Sequence, residues 1–314
     1  MPALIAPAAS EDREVHADWL ELRALEAADS NSSIQDLVQV IRRSGTIEAI
    51  EEEDEDPQDH GSERAQVVAE DAFAEIEDRH RSCGGHRGAY PFRLHPQYIE
   101  LRRQPEKSPY VFLLLLSQFG KDAGPSGTDA ARLFERLSVN AAAHYFGGAR
   151  AAVGSYHFGA PRGSTPRGFR EALDEMCRQM REGQSCRMDR SNLADQKDAR
   201  LDLVVWRPFR DDRPGKLMGF GQCATGGDWP DKLTHLQPET FCSMWLADSP
   251  VVPPARMFFV PFRIGLRRWM DVGRKGGIIF DRCRIAFSTR HVDEDLMREC
   301  AEWTSHVVKE QLER

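Results

Sequence analysis

Apolar residues recur at helical spacing through most of the first half of the chain, which predicts a mainly helical region. One short strand, 97–102, interrupts these helices. The predicted helices are 16–29, one that begins at the cap cluster Asn31–Ser33 and stops at Gly45, 62–81, 110–119, and 129–146.

The second half carries shorter apolar runs bounded by Gly, Pro and Asp, a pattern typical of strands. Helical spacing returns at 169–181 and after Asp293, which is placed to cap a final helix. Pro261 predicts that one strand lies at a sheet edge or is bulged. The predicted strands are 201–206, 217–224, 256–264 and 278–288, and 241–246 is a further apolar segment.

Two of these runs each contain a polar residue where a core strand should have none. Asp202 lies in the first run and Gln222 in the second. Burying an unpaired amide costs roughly 2–7 kcal/mol, so such residues are expected to be paired or to hold a metal. Gly226 and Gly227 then end the strand, and Asp228 is placed to cap a helix that begins with Trp229–Lys232. The stretch 200–232 is therefore a candidate site.

A further acid lies upstream on the long helix, where Glu135 shares a face with small residues. The order is a helix with Glu135, a strand with Asp202, a strand with Gln222, and a helix with Lys232. In the segments LFERL, LDLVVW, GFGQCATG and WPDK, this order resembles the core of the PD-(D/E)XK nuclease superfamily over residues 128–290.

The resemblance implies an α/β fold with a restriction-endonuclease-like mixed central sheet flanked by helices, preceded by an N-terminal helical region. It divides the chain into an acidic helical region and linker at 1–59, a helical and loop connection at 60–127, and a nuclease domain at 128–314 that includes the C-terminal helix.

The resemblance also implies Mg²⁺ (or Mn²⁺) as the cofactor. Asp202 would be the central ligand, and Gln222 would replace the usual Glu through its amide oxygen. The backbone carbonyl of Cys223 would add a ligand, and Glu135 would complete the site. Such an ion prefers oxygen ligands and makes a bound water nucleophilic.

At one position the sequence departs from the family pattern. The family's strand Lys would stand two residues after Gln222, where this chain has Ala224, and Lys232 on the next helix is placed to replace it. Two functions follow from this arrangement. One is a Mg²⁺-dependent DNA endonuclease acting in bacterial anti-phage defence. The other is an inactive nuclease fold that serves as a DNA-binding or scaffold subunit of a multi-protein defence system.

Two other chemistries stay open at this point. Cys223 would act as a nucleophile if His157 or His235 approached it in space, which predicts a cysteine hydrolase. The loop containing His80, Cys83 and His86 has a spacing compatible with zinc, although a structural zinc site needs four ligands.

Composition places the chain among globular proteins of a reducing compartment. It has 314 residues, 40% of them hydrophobic, and seven scattered cysteines, which predicts a cytoplasmic location rather than a disulfide framework. No apolar run approaches the roughly 18 residues of a spanning helix, and the first residues lack a signal-peptide pattern. No membrane association is expected.

Charge is distributed unevenly. Residues 1–59 hold 4 Lys/Arg and 16 Asp/Glu, whereas the rest holds 38 and 34. The acidic run Glu51–Asp56 is either a solvated linker or an autoinhibitory cover for a basic groove. Bases surround an aromatic ring in a predicted loop, which suits either DNA contact or a solvated surface. The predicted DNA contacts are Arg263, Arg267, Arg268, Trp269, Arg274 and Lys275. The expected partners are DNA, operon-encoded proteins and, for two-strand cleavage, a second copy of the chain.

Overall fold

The computed structural model describes residues 4–43, 57–147, 152–159, 168–187, 199–289 and 292–312. These ranges contain eleven α-helices and eight strands. The helices are α1 (Arg13–Glu26), α2 (Ile34–Arg43), α3 (Pro57–Ser82), α4 (Pro109–Phe119), α5 (Ala130–Gly147), α6 (Phe169–Met180), α7 (Trp229–Lys232), α8 (Pro238–Trp245), α9 (Leu266–Gly276), α10 (Arg282–Ser288) and α11 (Glu294–Val307). The strands are β1 (Asn31–Ser33), β2 (Phe92–Leu94), β3 (Tyr98–Leu101), β4 (Gly154–His157), β5 (Leu203–Trp206), β6 (Met218–Cys223), β7 (Ala255–Phe259) and β8 (Ile278–Phe280).

Five strands form a mixed central sheet in the order β4-β5-β6-β7-β8. Strands β4, β5 and β6 are antiparallel neighbours, whereas β6, β7 and β8 run parallel. A second, three-stranded antiparallel sheet has the order β1-β3-β2. The chain is therefore an α/β protein, and its mixed sheet contains both strands of the candidate site.

Helices cover both faces of the central sheet. Leu203 and Val205 of β5 pack into the core that also contains Leu133 and Leu137 of α5. Val204, between them, points to the opposite face, where α6 and α8 pack. A smaller apolar cluster around Trp229 and Val272 joins α7 and α9 to that sheet. Because side chains alternate along a strand, each residue of β5 and β6 can be assigned to one of these two faces.

The N-terminal helices belong to the main core. Leu20 of α1 and Leu37 of α2 are buried in the same cluster as Leu137 of α5 and Trp303 of α11. This cluster spans all three of the segments expected at 1–59, 60–127 and 128–314. Deleting residues 1–59 would therefore remove core helices together with any acidic cover. The acidic run Glu51–Asp56 and the stop expected at Gly45 lie outside the described residues.

A buried network of charges crosses the same segments. Arg79 of α3 donates to Asp18 at 2.6 Å and to Glu21 at 2.9 Å, both on α1. Arg282 of α10 donates to the same Asp18 through two nitrogens, at 2.6 and 2.9 Å. Both guanidinium groups are fully buried. We call this group, completed by Glu75, Tyr90, Tyr110, Arg263 and Asp281, the buried charge network.

Most predicted helices are confirmed, but the region of residues 255–288 differs from expectation. The basic segment expected to be a loop forms α9, with its Arg and Lys side chains on an amphipathic helix. The strand expected at 278–288 ends at Phe280, where Asp281 caps α10 and accepts a hydrogen bond from Arg284 N. Pro261 lies beyond the end of β7, and β7 is an interior strand, so the prediction of an edge strand was wrong.

Three local features refine the expected elements. The segment Asn31–Ser33 forms a strand, β1, that pairs with β3, and the cap expected there is confirmed, because Ser33 Oγ accepts a hydrogen bond from Asp36 N at 3.2 Å where α2 begins. The apolar segment at 241–246 falls largely in helix α8. Tyr145 of α5 is 60% exposed, whereas Leu133, Leu137 and Ala141 of the same helix are buried.

None of the described helices combines the length and apolarity needed to span a membrane.

Candidate active site

Asp202 stands at the junction of three strands. It directly precedes β5, and its N–H donates to Gly221 O of β6 at 2.9 Å. Its carbonyl accepts hydrogen bonds from Phe158 N at 2.7 Å and Gly159 N at 2.9 Å, just after β4. Its carboxylate oxygen Oδ2 accepts a hydrogen bond from Cys223 N at 2.7 Å. The Asp202 carboxylate therefore lies against the peptide bond that joins Gln222 to Cys223.

Glu135 reaches the same corner of the sheet from α5. Its Oε2 lies 2.6 Å from Nε2 of His157, the last residue of β4. The two side chains are 16% and 22% exposed, so the pair is shielded but reachable from solvent. Gly159 makes this approach possible, because a Cβ there would lie 2.2 Å from Glu135 Oε2.

Gln222 lies in β6 with its side chain on the other face of the sheet. Its neighbour in β7 is Phe258, which packs with Trp229 in the small apolar cluster. Gln222 is 4% exposed, and its Oε1 has no hydrogen-bond partner among the residues that the structure describes. A buried acceptor without a donor costs roughly 1–3 kcal/mol, so this orphaned oxygen needs an explanation.

Cys223 points to the α5 face, beside the two carboxylates. Burial raises the pKa of its thiol well above the usual range, and the charges of Asp202 and Glu135 raise it further. A neighbouring hydroxyl, that of Ser138, acts in the opposite direction but does not outweigh them. The thiol therefore stays protonated at neutral pH, which disfavours the cysteine-hydrolase alternative because the thiolate is the nucleophile.

Lys232 and Ala224 lie at the edge of this site. Ala224 is buried in the cluster with Trp229, directly beyond the end of β6. Lys232 lies in α7, as expected, and its Nζ donates to Asp228 Oδ1 at 2.9 Å. Asp228 occupies the predicted cap position without making a side-chain cap hydrogen bond. An exposed pair of this kind is worth about 0–1 kcal/mol, so it holds the ammonium group only weakly.

The structure thus brings Asp202, Glu135 and the Cys223 backbone together, and it adds His157. Gln222 is adjacent in the chain, but its side chain and that of Glu135 occupy opposite faces of the sheet. The carboxylates of Asp202 and Glu135 are oxygen ligands of the kind that a hard divalent cation prefers, whereas the unpartnered Gln222 Oε1 is a further acceptor on the opposite face. The set of candidate ligands contains only two carboxylates, so it relies on amide and peptide oxygens as well.

Among the described residues, no group of three or more His, Cys, Asp or Glu side chains is arranged to hold a metal. The zinc alternative therefore gains no support. The rings of His80 and His86 meet edge to face, with centroids 5.1 Å apart. Cys83 is buried, with its Sγ 3.9 Å from Cys283 O.

The basic residues expected to contact DNA separate into two groups. Arg263 donates to Glu75 at 2.8 Å and to Asp281 at 2.7 Å, so its guanidinium belongs to the buried charge network. The face of Trp269 is covered by Arg284, whose Cζ lies 4.4 Å from the ring centroid. The basic side chains of α9 remain exposed; they are Arg267, Arg268, Arg274 and Lys275.

The sequence analysis did not predict the contact between His157 and Glu135. His157 follows alternating residues at the end of a short strand, and no motif marks it. Gly159 was the one indication in the sequence, because a glycine at or near a strand often marks a position that another group approaches closely. The group that approaches Gly159 is Glu135, 24 residues earlier on α5, and the sequence spacing does not predict this contact.

No family model matches the chain, and comparisons with curated proteins and with solved structures give no significant match.

Proposed function

We propose that the chain is a divalent-metal-dependent endonuclease of the PD-(D/E)XK type that hydrolyses phosphodiester bonds in DNA. The main support is one observation: the Asp202 carboxylate lies against the Gln222–Cys223 peptide, and the side-chain oxygen of Gln222 is buried without a donor among the described residues. The order of α5, β5, β6 and α7 along the chain, and the antiparallel pairing of β5 with β6, agree with the restriction-endonuclease-like core.

In this proposal Asp202, Gln222 and the Cys223 carbonyl would hold Mg²⁺ or Mn²⁺. When bound, the ion supplies charge neutralisation at the scissile phosphate and lowers the pKa of a water. Asp202 is held in place by backbone groups of β4 and β6, which fixes the direction of its carboxylate. Glu135 faces the same corner, and its hydrogen bond with His157 orients it.

The exposed base-rich surface of α9 is the proposed DNA contact. Arg267, Arg268 and Arg274 are exposed on this helix, which packs beside α7 through the cluster of Trp229 and Val272. Phosphate contacts of this kind give affinity that falls steeply with salt. A role in anti-phage defence, operon-encoded protein partners and a homodimer for two-strand cleavage belong to the same proposal.

A second candidate is a nuclease fold that binds DNA without cutting it. It is favoured by the position of Lys232, which is paired with Asp228 at the surface, and by the burial of Ala224 at the expected position of the Lys. In that case the Asp202 corner would serve only to join β4, β5 and β6.

The experiment that separates the candidates is a nicking assay on supercoiled plasmid, with Mg²⁺, with Mn²⁺ and with EDTA. The active candidate predicts metal-dependent nicking that falls about a hundredfold or more in Asp202→Asn, a loss of roughly 2.7 kcal/mol of transition-state stabilisation. Asparagine keeps an oxygen to accept from Cys223 N, so the fold is retained. The matched control is Asp211→Asn, whose side chain is 56% exposed in the turn after β5.

DNA binding is measured in parallel by fluorescence anisotropy in EDTA. Wild-type binding without nicking under any metal condition, including with co-expressed neighbours from its operon, would reject the active candidate and leave the binding module. Nicking that persists in EDTA and is lost in Cys223→Ala would instead restore the cysteine-hydrolase alternative.

A further inference from the structure

A cavity of about 910 Å³ lies on a different part of the molecule from the candidate active site. It is bounded by the N-terminus of α4, the end of α10 and the first turns of α11. None of its lining residues belongs to the candidate site or to α9. Its volume is in the range of roughly 300–1,000 Å³ that is typical of small-molecule sites.

The rim of the cavity is positively charged. Four basic residues and one acidic residue, Glu294, line it. One of the four, Arg298, is paired with Asp295 at 2.7 Å, which leaves Arg102, Arg103 and Lys107. Within the described part of the chain, neither Arg102 nor Arg103 has a carboxylate partner within the 4.0 Å of an ion pair. In a chain with a net charge of −8, such a group of cations is an attractive site for an anion.

The N-terminus of α4 lines one end of the cavity. Ser108 is the cap residue of α4, but its side chain makes no cap hydrogen bond, and its Oγ is closed off from solvent, so a ligand in the cavity would not reach this hydroxyl. The first turn of α4 adds the positive end of a helix dipole at this place, which suits phosphate oxygens.

The rest of the lining is apolar. Pro105, Val292, Met297 and Ala301 form much of it. An inorganic anion would leave this surface without a contact, whereas an organic group attached to the anion would cover it.

We propose that this cavity binds a small organic phosphate of nucleotide size, with the phosphates at Arg102, Arg103 and Lys107 and the organic part against Met297 and Ala301. This site is independent of the proposed nuclease function. Its ligand chemistry follows from the cations and the start of α4 at one end, and from the apolar wall at the other.

The test is isothermal titration of the full chain in EDTA, so that phosphates do not reach the candidate active site through a metal. The probes are the four ribonucleoside triphosphates, inorganic pyrophosphate and adenosine. At least one triphosphate is expected to bind at least fivefold more tightly than pyrophosphate, and adenosine is expected to bind much more weakly. Failure of every triphosphate to bind below 1 mM, or equal affinity for pyrophosphate, would overturn the proposal.

Variants locate the binding. Arg102→Ala should raise the Kd about 10- to 100-fold, the effect of one lost charge-assisted hydrogen bond. Arg103→Glu changes an exposed side chain and guards against misfolding. Arg93→Ala, which is 65% exposed outside the cavity, is the control. Wild-type affinity in Arg102→Ala and Arg103→Glu would place the ligand elsewhere and reject this site.

Discussion

Two polar clusters in this molecule differ in how completely their groups are paired. In the buried charge network, Arg79 donates to Asp18, Glu21, Glu75 and the carbonyl of Glu14. At the candidate active site, only part of the hydrogen-bonding capacity is used. There the buried Gln222 Oε1 has no donor among the described residues, and the carboxylates of Asp202 and Glu135 lie beside Cys223 on the other face of the sheet.

The difference shows what each cluster contributes. Burying charges is costly, and it is tolerated when partners and hydrogen bonds are nearly complete, as around Arg79 and Arg282. The exception there is Glu75 Oε2, which makes no hydrogen bond but lies 3.2 Å from Arg13 Nη2 in an ion pair. Such a network fixes the arrangement of helices. A buried polar atom without any partner lowers stability and persists where a ligand completes it. The network around Arg79 therefore has a structural role, and the unpaired amide oxygen of Gln222 supports a binding role for the candidate site.

The largest expected effect is on stability, from Arg79→Leu. This change leaves Asp18, Glu21 and Glu75 without their shared partner, and it should lower the free energy of unfolding by about 3–5 kcal/mol. Urea denaturation measures it. The matched control is Arg178→Ala, which removes an exposed pair with Glu175 and should cost far less stability than Arg79→Leu. Similar losses in both variants would contradict the contrast between buried and exposed charges.

Acid should weaken the network through Asp18. Burial alone would raise its pKa, but Arg282 and Arg79 outweigh burial and lower the pKa from 3.8 to about 2. A lowered carboxyl pKa contributes stability above its unfolded value, and that contribution is lost as pH falls through the folded value. We therefore expect about 2 kcal/mol to be lost between about pH 4 and pH 2.

Urea midpoints of wild type and Asp18→Asn at pH 5 and pH 2.5 measure this contribution. The difference in urea midpoint between the two proteins should be smaller at pH 2.5 than at pH 5, since protonated Asp18 resembles Asn. A difference of equal size at both pH values would show that the pKa of Asp18 is not lowered by folding.

At the candidate site, Gln222→Met should reduce nicking without reducing stability, unlike Arg79→Leu, which should reduce stability. It removes an unpaired amide and keeps the volume, so the free energy of unfolding should be unchanged or higher by up to about 1 kcal/mol. Nicking should fall, because the amide oxygen is a proposed metal ligand. A clear loss of stability would instead mean that Gln222 is a structural residue like those around Arg79.

The smallest effect on stability is expected from Lys232→Ala. The free energy of unfolding should change by no more than about 0.5 kcal/mol, because the ion pair of Lys232 with Asp228 is exposed. If α7 supplies the missing Lys, nicking should nevertheless fall at least tenfold. Asp228→Ala is the companion variant, as it breaks the pair and leaves the Lys in place, so its nicking should be unchanged or faster. Full activity in Lys232→Ala would remove this residue from the proposed mechanism.

Local patterns predicted the elements of this chain better than the contacts between them. The periodicity of α5 and the apolar run of β6 were sufficient to place Glu135 and Gln222 on the right elements, whereas Asp202, expected inside a strand, lies one residue before β5. The sequence did not predict on which face of the sheet each of these side chains lies, because the two faces are defined by the helices that pack on them. Likewise, the sequence predicted that Arg263 belongs to a basic surface cluster, whereas its side chain is paired with Glu75, 188 positions away.

The same limit applies to the N-terminal acids. Net charge alone describes residues 1–59 as an acidic attachment. Glu21, however, is fully buried in the charge network and Asp18 is only 20% exposed there, because Arg79 and Arg282 reach them from distant parts of the chain. Composition counts charges but contains no information on long-range pairing.

The pairing of Asp18 with Arg282 has a consequence for synthesis of the protein. The two residues are 264 positions apart. At about 5–20 residues per second, a ribosome needs roughly 10–50 s to proceed from one to the other. During that time α1 and α3 exist without Arg282, so Asp18 has only Arg79 to balance it. The helices made first therefore reach their final packing only when nearly the whole chain has emerged, and a nascent chain stalled before Arg282 should be an especially good chaperone substrate.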